Sequence, residues 1–459
     1  MAAAEPRPDA IGQPAESGEQ LKRGIGQKML LLFVVGDILG AGIYARVGGV
    51  ANEVGGAIWV SFLLAMVLAA LTALSYAELV TKYPGAAGAA LYINKAFKMP
   101  FFTFMVAFAV LASGIASAAA VSRAFSGRYL QEFIQVPADP VVFLFLIVLA
   151  LINYRGISES IGVNMVLTLI EVSGLILVIG IGIVALASGS GDLTRPFTFK
   201  QGEALPLAIL GGAVVAFYAF LGFEDAVNMA EETEDPIRMM PLALLGGLGI
   251  ATVVYLAVAF TASLVVPTET LGQSTGPLLE VVKAGAPAFP LILFSGIALL
   301  AITNTALINM IMASRVIYGM ANQGILPRVL GKTSSERQTP WVAIIFTTVL
   351  ALGLAFTGDL GALADTTVAL LLVVFAIVNV AVLILRRDPV DYPHFATPTI
   401  LPILGAISCL ALMTQQRADI YLRGGILLAI GAALFFLNIL ITRRLDREPA
   451  VERDASAGH

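Results

Sequence analysis

The chain has 459 residues, of which 58% are apolar and only 13% charged, against roughly a quarter charged in soluble domains. Its mean hydropathy of +0.90 and recurring apolar runs of about 20 residues fit helices that cross a hydrocarbon core of about 30 Å; the runs do not alternate as barrel strands do. The single Cys409 excludes a disulfide framework and a cysteine-ligated metal site. Two histidines, His394 and His459, leave almost nothing for a histidine-ligated metal or haem, and a net charge of −4 gives no reason to expect nucleic acid.

The sequence therefore reads as an all-α, polytopic membrane protein. Residues 1–27 read as a disordered cytoplasmic tail, the first twenty being rich in Ala, Pro, Gly and acids. The first apolar stretch has no small-residue cleavage site and is expected to span rather than to act as a signal peptide. Spans are expected near 28–50, 56–81, 100–130, 139–154, 160–188, 205–230, 240–266, 287–314, 340–357, 362–385, 398–414 and 422–442, which makes twelve. Residues 444–459 read as a second tail, and the region 267–286 could hold a short surface helix. With the N-terminus inside, nineteen of the 27 Lys and Arg residues fall on the inner side, which puts both termini in the cytoplasm. With no soluble domain, any chemistry happens among the helices.

Two spans carry interruptions. Gly36-Asp37-Ile38-Leu39-Gly40-Ala41-Gly42-Ile43-Tyr44 lies inside the first. Glycines there weaken the helix and bare its backbone, which at bilayer depth is tolerated only against a cavity or ligand. A break at Gly40-Ala41-Gly42 would aim free N–H groups at an anion such as a carboxylate. The spacing of Gly36 and Gly40 equally suits a GxxxG packing face. The sixth span contains Phe217-Tyr218-Ala219-Phe220-Leu221-Gly222-Phe223-Glu224-Asp225, with two costly acids after a glycine that would suit the start of a new half-helix. Interrupted helices at matching places in two halves point to an inverted-repeat transporter with a midplane site.

These segments resemble the amino acid–polyamine–organocation (APC) permeases, which share the leucine-transporter fold. The first-span glycine segment is similar to the family's GxxIGxGIF pattern. Ser75-Tyr76-Ala77-Glu78-Leu79 with Tyr83-Pro84-Gly85 resembles its second-helix ending, and Phe217 to Glu224 its FFAYxGFD signature. The stretch from Ser314 to Pro327 looks like its SRxxYAMARDGxLP sequence. The resemblance implies two inverted five-helix repeats, 28–188 and 205–388, followed by helices 11 and 12 within 396–443. It implies transport of amino acids or amines by alternating access, without enzyme chemistry, metal or cofactor. On the matching positions, the backbone of Gly40, Ala41 and Gly42 would hold a substrate carboxylate. Carbonyls near Ile38 and Leu39, and from Phe217 to Phe220, would hold the ammonium; Tyr218, four residues before Gly222, would close over it.

The chain departs from the family in two places. Where proton-coupled relatives carry a lysine seven residues after an Asn in the fifth helix, Asn164 is followed by Glu171; in the first helix Asp37 replaces the usual Ser or Asn. A buried acid either pairs with a cation or carries a proton, because burial disfavours its charged form. Glu171, or else Asp37, is thus the expected proton carrier, with structural hydrogen bonding the alternative for each. Glu224 reads as a helix-start acid or as a counter-charge to a cationic substrate. Asn304 and Thr305 read as ion or substrate contacts or as polar links between helices. The expected activity is proton-coupled amino-acid symport across the cytoplasmic membrane. Exchange or sodium coupling is the alternative within the class, and a channel or transporter-like sensor the alternative outside it. The amino acid carried and the oligomeric state are not legible.

Overall fold

The computed structural model describes residues 24–85, 88–155, 161–202, 204–322, 326–335, 337 and 339–445; the side chains of 161–165 and 441–445 fall outside this set. Both expected tails up to residue 23 and from 446, residues 323–325 of the fourth motif, and the Asn164 side chain lie outside the described residues.

The described residues fold into helices and connecting turns, with two isolated β-bridges, Ile25 to Thr233 and Gly55 to Phe199. In chain order the helices are α1 (Gln27–Ile38), α2 (Ala41–Val54), α3 (Ile58–Lys82), α4 (Gly88–Phe97), α5 (Pro100–Phe125) and α6 (Arg128–Gln131). There follow α7 (Ala138–Arg155), α8 (Ile161–Ser188), α9 (Leu205–Phe217), α10 (Pro236–Val265), α11 (Thr268–Gln273) and α12 (Pro277–Gly285). The chain ends with α13 (Leu291–Asn322), α14 (Trp341–Ala355), α15 (Leu360–Leu385), α16 (Ile400–Met413) and α17 (Ala418–Leu445). Among the described residues, nine helical stretches, counting Gln27–Val54 as one, are long and apolar enough to cross a bilayer; three shorter apolar helices are Leu205–Phe220, Trp341–Ala355 and Ile400–Met413.

Local chemistry sets several boundaries. Pro100 starts α5 and Pro236 starts α10, where a missing N–H costs nothing. The Asp235 and Asp359 side chains accept from Arg238 N–H (3.3 Å) and Ala362 N–H (2.8 Å), capping α10 and α15. The expected surface helix in 267–286 is two helices, α11 and α12, and α13 runs on to Asn322 rather than stopping at 314.

The core follows membrane rather than soluble logic. α5 packs against α13 and α15 through a run of fully buried small residues, Ala116 and Ala118 to Ala120, which lets the backbones approach. α3 packs on α10, and α1 on α10 and α8. Between α3 and α15, Asn379 donates to Thr72 Oγ1 (3.0 Å) and accepts from Ser75 Oγ (2.7 Å), a fully buried polar link. At the end of these helices Arg386 grips Glu78 through its Nε and Nη2, each at 2.7 Å. Large apolar side chains such as Leu144, Leu151 and Ile345 point outward, as lipid-facing residues do.

Candidate functional site

The first break falls at Leu39 and Gly40, between α1 and α2. The second follows α9, whose helix tightens into a 3-10 turn at Tyr218–Phe220 and then opens at Leu221. Here the structure corrects the sequence reading. No α-helix restarts at Gly222, and none begins before Pro236; residues 221–225 are turns, followed by one 3-10 turn, Ala226–Met229. Glu224 therefore does not sit in the first turn of a half-helix. Instead its Oε2 accepts from Gly222 N–H at 2.9 Å, satisfying a donor the opened chain would leave bare.

The two breaks lie against each other. A Cβ on Gly42 would lie 2.6 Å from Ala219 Cα, so only glycine allows that approach. Gly222 sits at φ +121°, and a Cβ there would come within 2.8 Å of the Asp37 carbonyl oxygen. Gly36 packs directly on Thr168 of α8, so the packing role of that glycine holds together with the break at Gly40.

Free backbone groups at the breaks are partly taken. Ala41 N–H donates to Thr305 Oγ1 (3.0 Å), placing the expected Thr305 on the break from α13. The Tyr255 hydroxyl of α10 donates to the Ile38 carbonyl and lies 2.9 Å from the Ala219 carbonyl, joining both breaks. Ala41 N–H is thus occupied, while the Ile38 carbonyl keeps a second lone pair.

Beside the breaks is a cavity of about 110 Å³. Of the sequence-nominated residues, Asp37, Ile38, Gly40, Ala41, Gly42, Tyr218, Gly222, Glu224 and Thr305 line it. Leu39, Phe217, Phe220, Asn304 and Glu171 are not among the lining residues. Phe217 packs on Phe375, and Phe220 on Phe62 and Tyr255, as core aromatics. Asn304 is buried in α13. Among the described lining residues there is no Lys or Arg, whereas Asp37, Glu224 and Asp225 supply three carboxyls.

Sequence reasoning missed Ser113 and Ser117 of α5, Asn309 of α13 and Thr367 of α15, which also line the wall. For the first three the signal was spacing: Ser113 with Ser117, and Thr305 with Asn309, are each four apart and share a helix face. Ser117 Oγ lies 2.9 Å from the Tyr218 hydroxyl and accepts from Asn309 Nδ2 at 3.2 Å. Tyr218 is thereby tied to two helices that it does not follow in sequence. One turn along α2 from Gly42, Arg46 pairs with Asp365 of α15, with side chains 6% and 17% exposed.

Glu171 lies behind the first break, fully buried, and neither carboxyl oxygen has a hydrogen-bond partner among the described residues. Its backbone carbonyl accepts from the Tyr44 hydroxyl at 2.6 Å, which pins α8 to α2. Thr168, Glu171 and Gly174, three residues apart, form the stripe of α8 that faces this region: Thr168 meets Gly36, and Gly174 meets Tyr44.

Comparison with known proteins matches this architecture. A family model described as "Amino acid permease" matches residues 25–438. The chain is 26% identical to the branched-chain amino acid permease BcaP of Bacillus subtilis over 448 residues, covering 92% of this chain and 94% of the relative. It is 26% identical to the methylthioribose transporter of the same organism, covering 91% and 94%. It is 28% identical to the chloroplastic cationic amino acid transporter 9 of Arabidopsis thaliana, covering 69% of this chain and 58% of that one. A multi-pass bundle with paired helix interruptions, matched by this family almost from end to end, belongs to the amino acid permease family of the APC group.

Proposed function

We propose that the chain is a secondary active transporter that carries amino acids across the cytoplasmic membrane by alternating access, driven by protons. The observation that carries this reading is the cavity held between the two interrupted segments, with Gly42 against Ala219 and Gly222 against Asp37. Bare backbone at such a place serves a substrate's charged ends. In this reading the nine long and three short apolar helices make twelve crossings. They form two inverted repeats, 28–188 and 205–388, with 396–443 appended and both termini cytoplasmic. The N–H groups in the first turn of α2, at Gly42 and beyond, receive the carboxylate, while the second lone pair of Ile38 and the cavity carboxyls receive the ammonium.

Glu171 serves as the proton carrier. A fully buried carboxyl without a partner is stable as the neutral acid, and it ionises when rocking of the helices admits water or a cation. Asp37, which touches Gly222 and lines the cavity, connects that step to substrate. Three carboxyls, with no lining cation among the described residues, favour substrates with net positive or zero charge over acidic amino acids.

The test is uptake of labelled amino acids into proteoliposomes under an imposed pH gradient. Accumulation above equilibrium supports coupled transport. Equilibration without accumulation points to a channel or exchanger, accumulation driven only by sodium replaces the coupling ion, and binding without flux points to a sensor.

A further inference from the structure

Away from the transport cavity, a lateral groove of about 500 Å³ opens between α7 and α14 at the ends that meet the 332–340 connection. Its lower part is apolar and open, with Leu151 57% and Ile345 54% exposed. Its upper part is polar: Thr333, Ser334 and Ser335 present hydroxyls beside Tyr154 and Trp341. The Arg337 guanidinium sits 5.6 Å from the centre of the Tyr154 ring, and Arg155 ends α7 next to it. Between 326 and 341 the sequence holds Arg328, Lys332 and Arg337 against a single acid, Glu336.

We infer that this groove is a binding site for one anionic phospholipid. The argument rests on a match of two chemistries along one axis. Exposed Leu151 and Ile345 in a membrane-spanning region have acyl chain as their natural neighbour. Tyr and Trp mark the level where chain gives way to headgroup. Above them an arginine, whose planar fork suits a phosphate, and a row of hydroxyls replace water around a phosphodiester. Basic pockets between helices at a membrane face select anionic headgroups over zwitterionic ones. The loop is built to hold this shape. Thr339 Oγ1 donates to the Tyr154 carbonyl (3.0 Å), and Ser334 N–H donates to the Thr339 carbonyl (2.9 Å), which holds residues 334 and 339 together at the end of α7.

The inference depends on the chain spanning a membrane and is independent of what it transports. It is tested by thermal unfolding of the detergent-solubilised full chain with added phosphatidylglycerol, phosphatidylcholine of the same acyl composition, or glycerol 1-phosphate. Phosphatidylglycerol alone should raise the midpoint, by about 3 °C or more, and Arg337→Gln should remove that shift. An equal shift with phosphatidylcholine, with glycerol 1-phosphate, or in Arg337→Gln would overturn it. Should Arg337→Gln fail to fold, Ile345→Trp fills the groove without altering charge. Native mass spectrometry should find phosphatidylglycerol retained on the parent and depleted on that variant. Equal retention on both, or a dimer that buries the groove in place of lipid, would also defeat the proposal.

Discussion

Glu171 and Gly222 mark two ways in which a single residue limits this molecule. Glu171 is fully buried and neither carboxyl oxygen has a partner among the described residues, so the proposed carrier role rests on its charge rather than its shape. Glu171→Gln keeps the shape and fixes neutrality. The variant is expected to bind and exchange amino acids while failing to concentrate them under a pH gradient; concentration equal to the parent would move the carrier role to Asp37, with Asp37→Asn as the next measurement. Gly222 is limited by backbone. At φ +121° with Asp37 at its back, Gly222→Ala should cost about 1–3 kcal/mol, read as a lower thermal midpoint, and should weaken substrate binding because Asp37 has to shift. Gly42→Val is expected to abolish binding for a reason the sequence did not supply. The added atoms meet the Ala219 backbone, so the two breaks part before any carboxylate is obstructed. Sequence patterns located these glycines because breaks need them, whereas what each one touches depends on a segment some 180 positions away.

Among the elements, the long apolar helices were legible because hydropathy reports them directly, and caps and prolines fixed their ends. The second interruption was legible only as an interruption. A glycine before two acids reads like the start of a helix, but Glu224 turns back onto Gly222 N–H and the chain proceeds through turns. The wall of the cavity was less legible still, since Ser113, Ser117 and Asn309 look like ordinary polar links on α5 and α13 until those helices are placed. Their arrangement ties the Tyr218 turn to both helices. Ser117→Ala removes the shared hydroxyl and should speed exchange between the two faces while lowering apparent affinity severalfold, as binding no longer meets a closed cover. Unaltered exchange and affinity would reduce the Ser117–Tyr218 contact to packing.

At the scale of the whole molecule, the carboxyl groups proposed to receive the substrate ammonium would also bound the cargo. Three carboxyls lining one space, with no lining Lys or Arg among the described residues, should make glutamate and aspartate poor competitors for uptake, and lysine, arginine or neutral amino acids better ones. Competition by glutamate as strong as that by neutral amino acids would count against the proposed placement of substrate. The identity of the preferred amino acid was beyond the sequence because the wall is assembled from α1, α2, α5, α13, α15 and the 218–228 turns, none of which shows its facing side alone.

One feature of the chain's entry into the bilayer constrains how such a bundle could rock. Just before α1, the N–H groups of Gly24 and Ile25 donate to the Glu232 carbonyl, and Glu234 N–H donates back to Ile25. Asp37, near the end of α1, rests on Gly222. The first half-helix is thus fastened at both ends to the same downstream segment, like a bar pinned twice to one plate, so the two are expected to travel together. Cysteines placed at Ile25 and Thr233, which face each other across a β-bridge, should join without arresting uptake, because they connect parts that travel together. The native Cys409 is buried at 1% exposure, so it stays out of the reaction and the cross-link can be tested on the natural background.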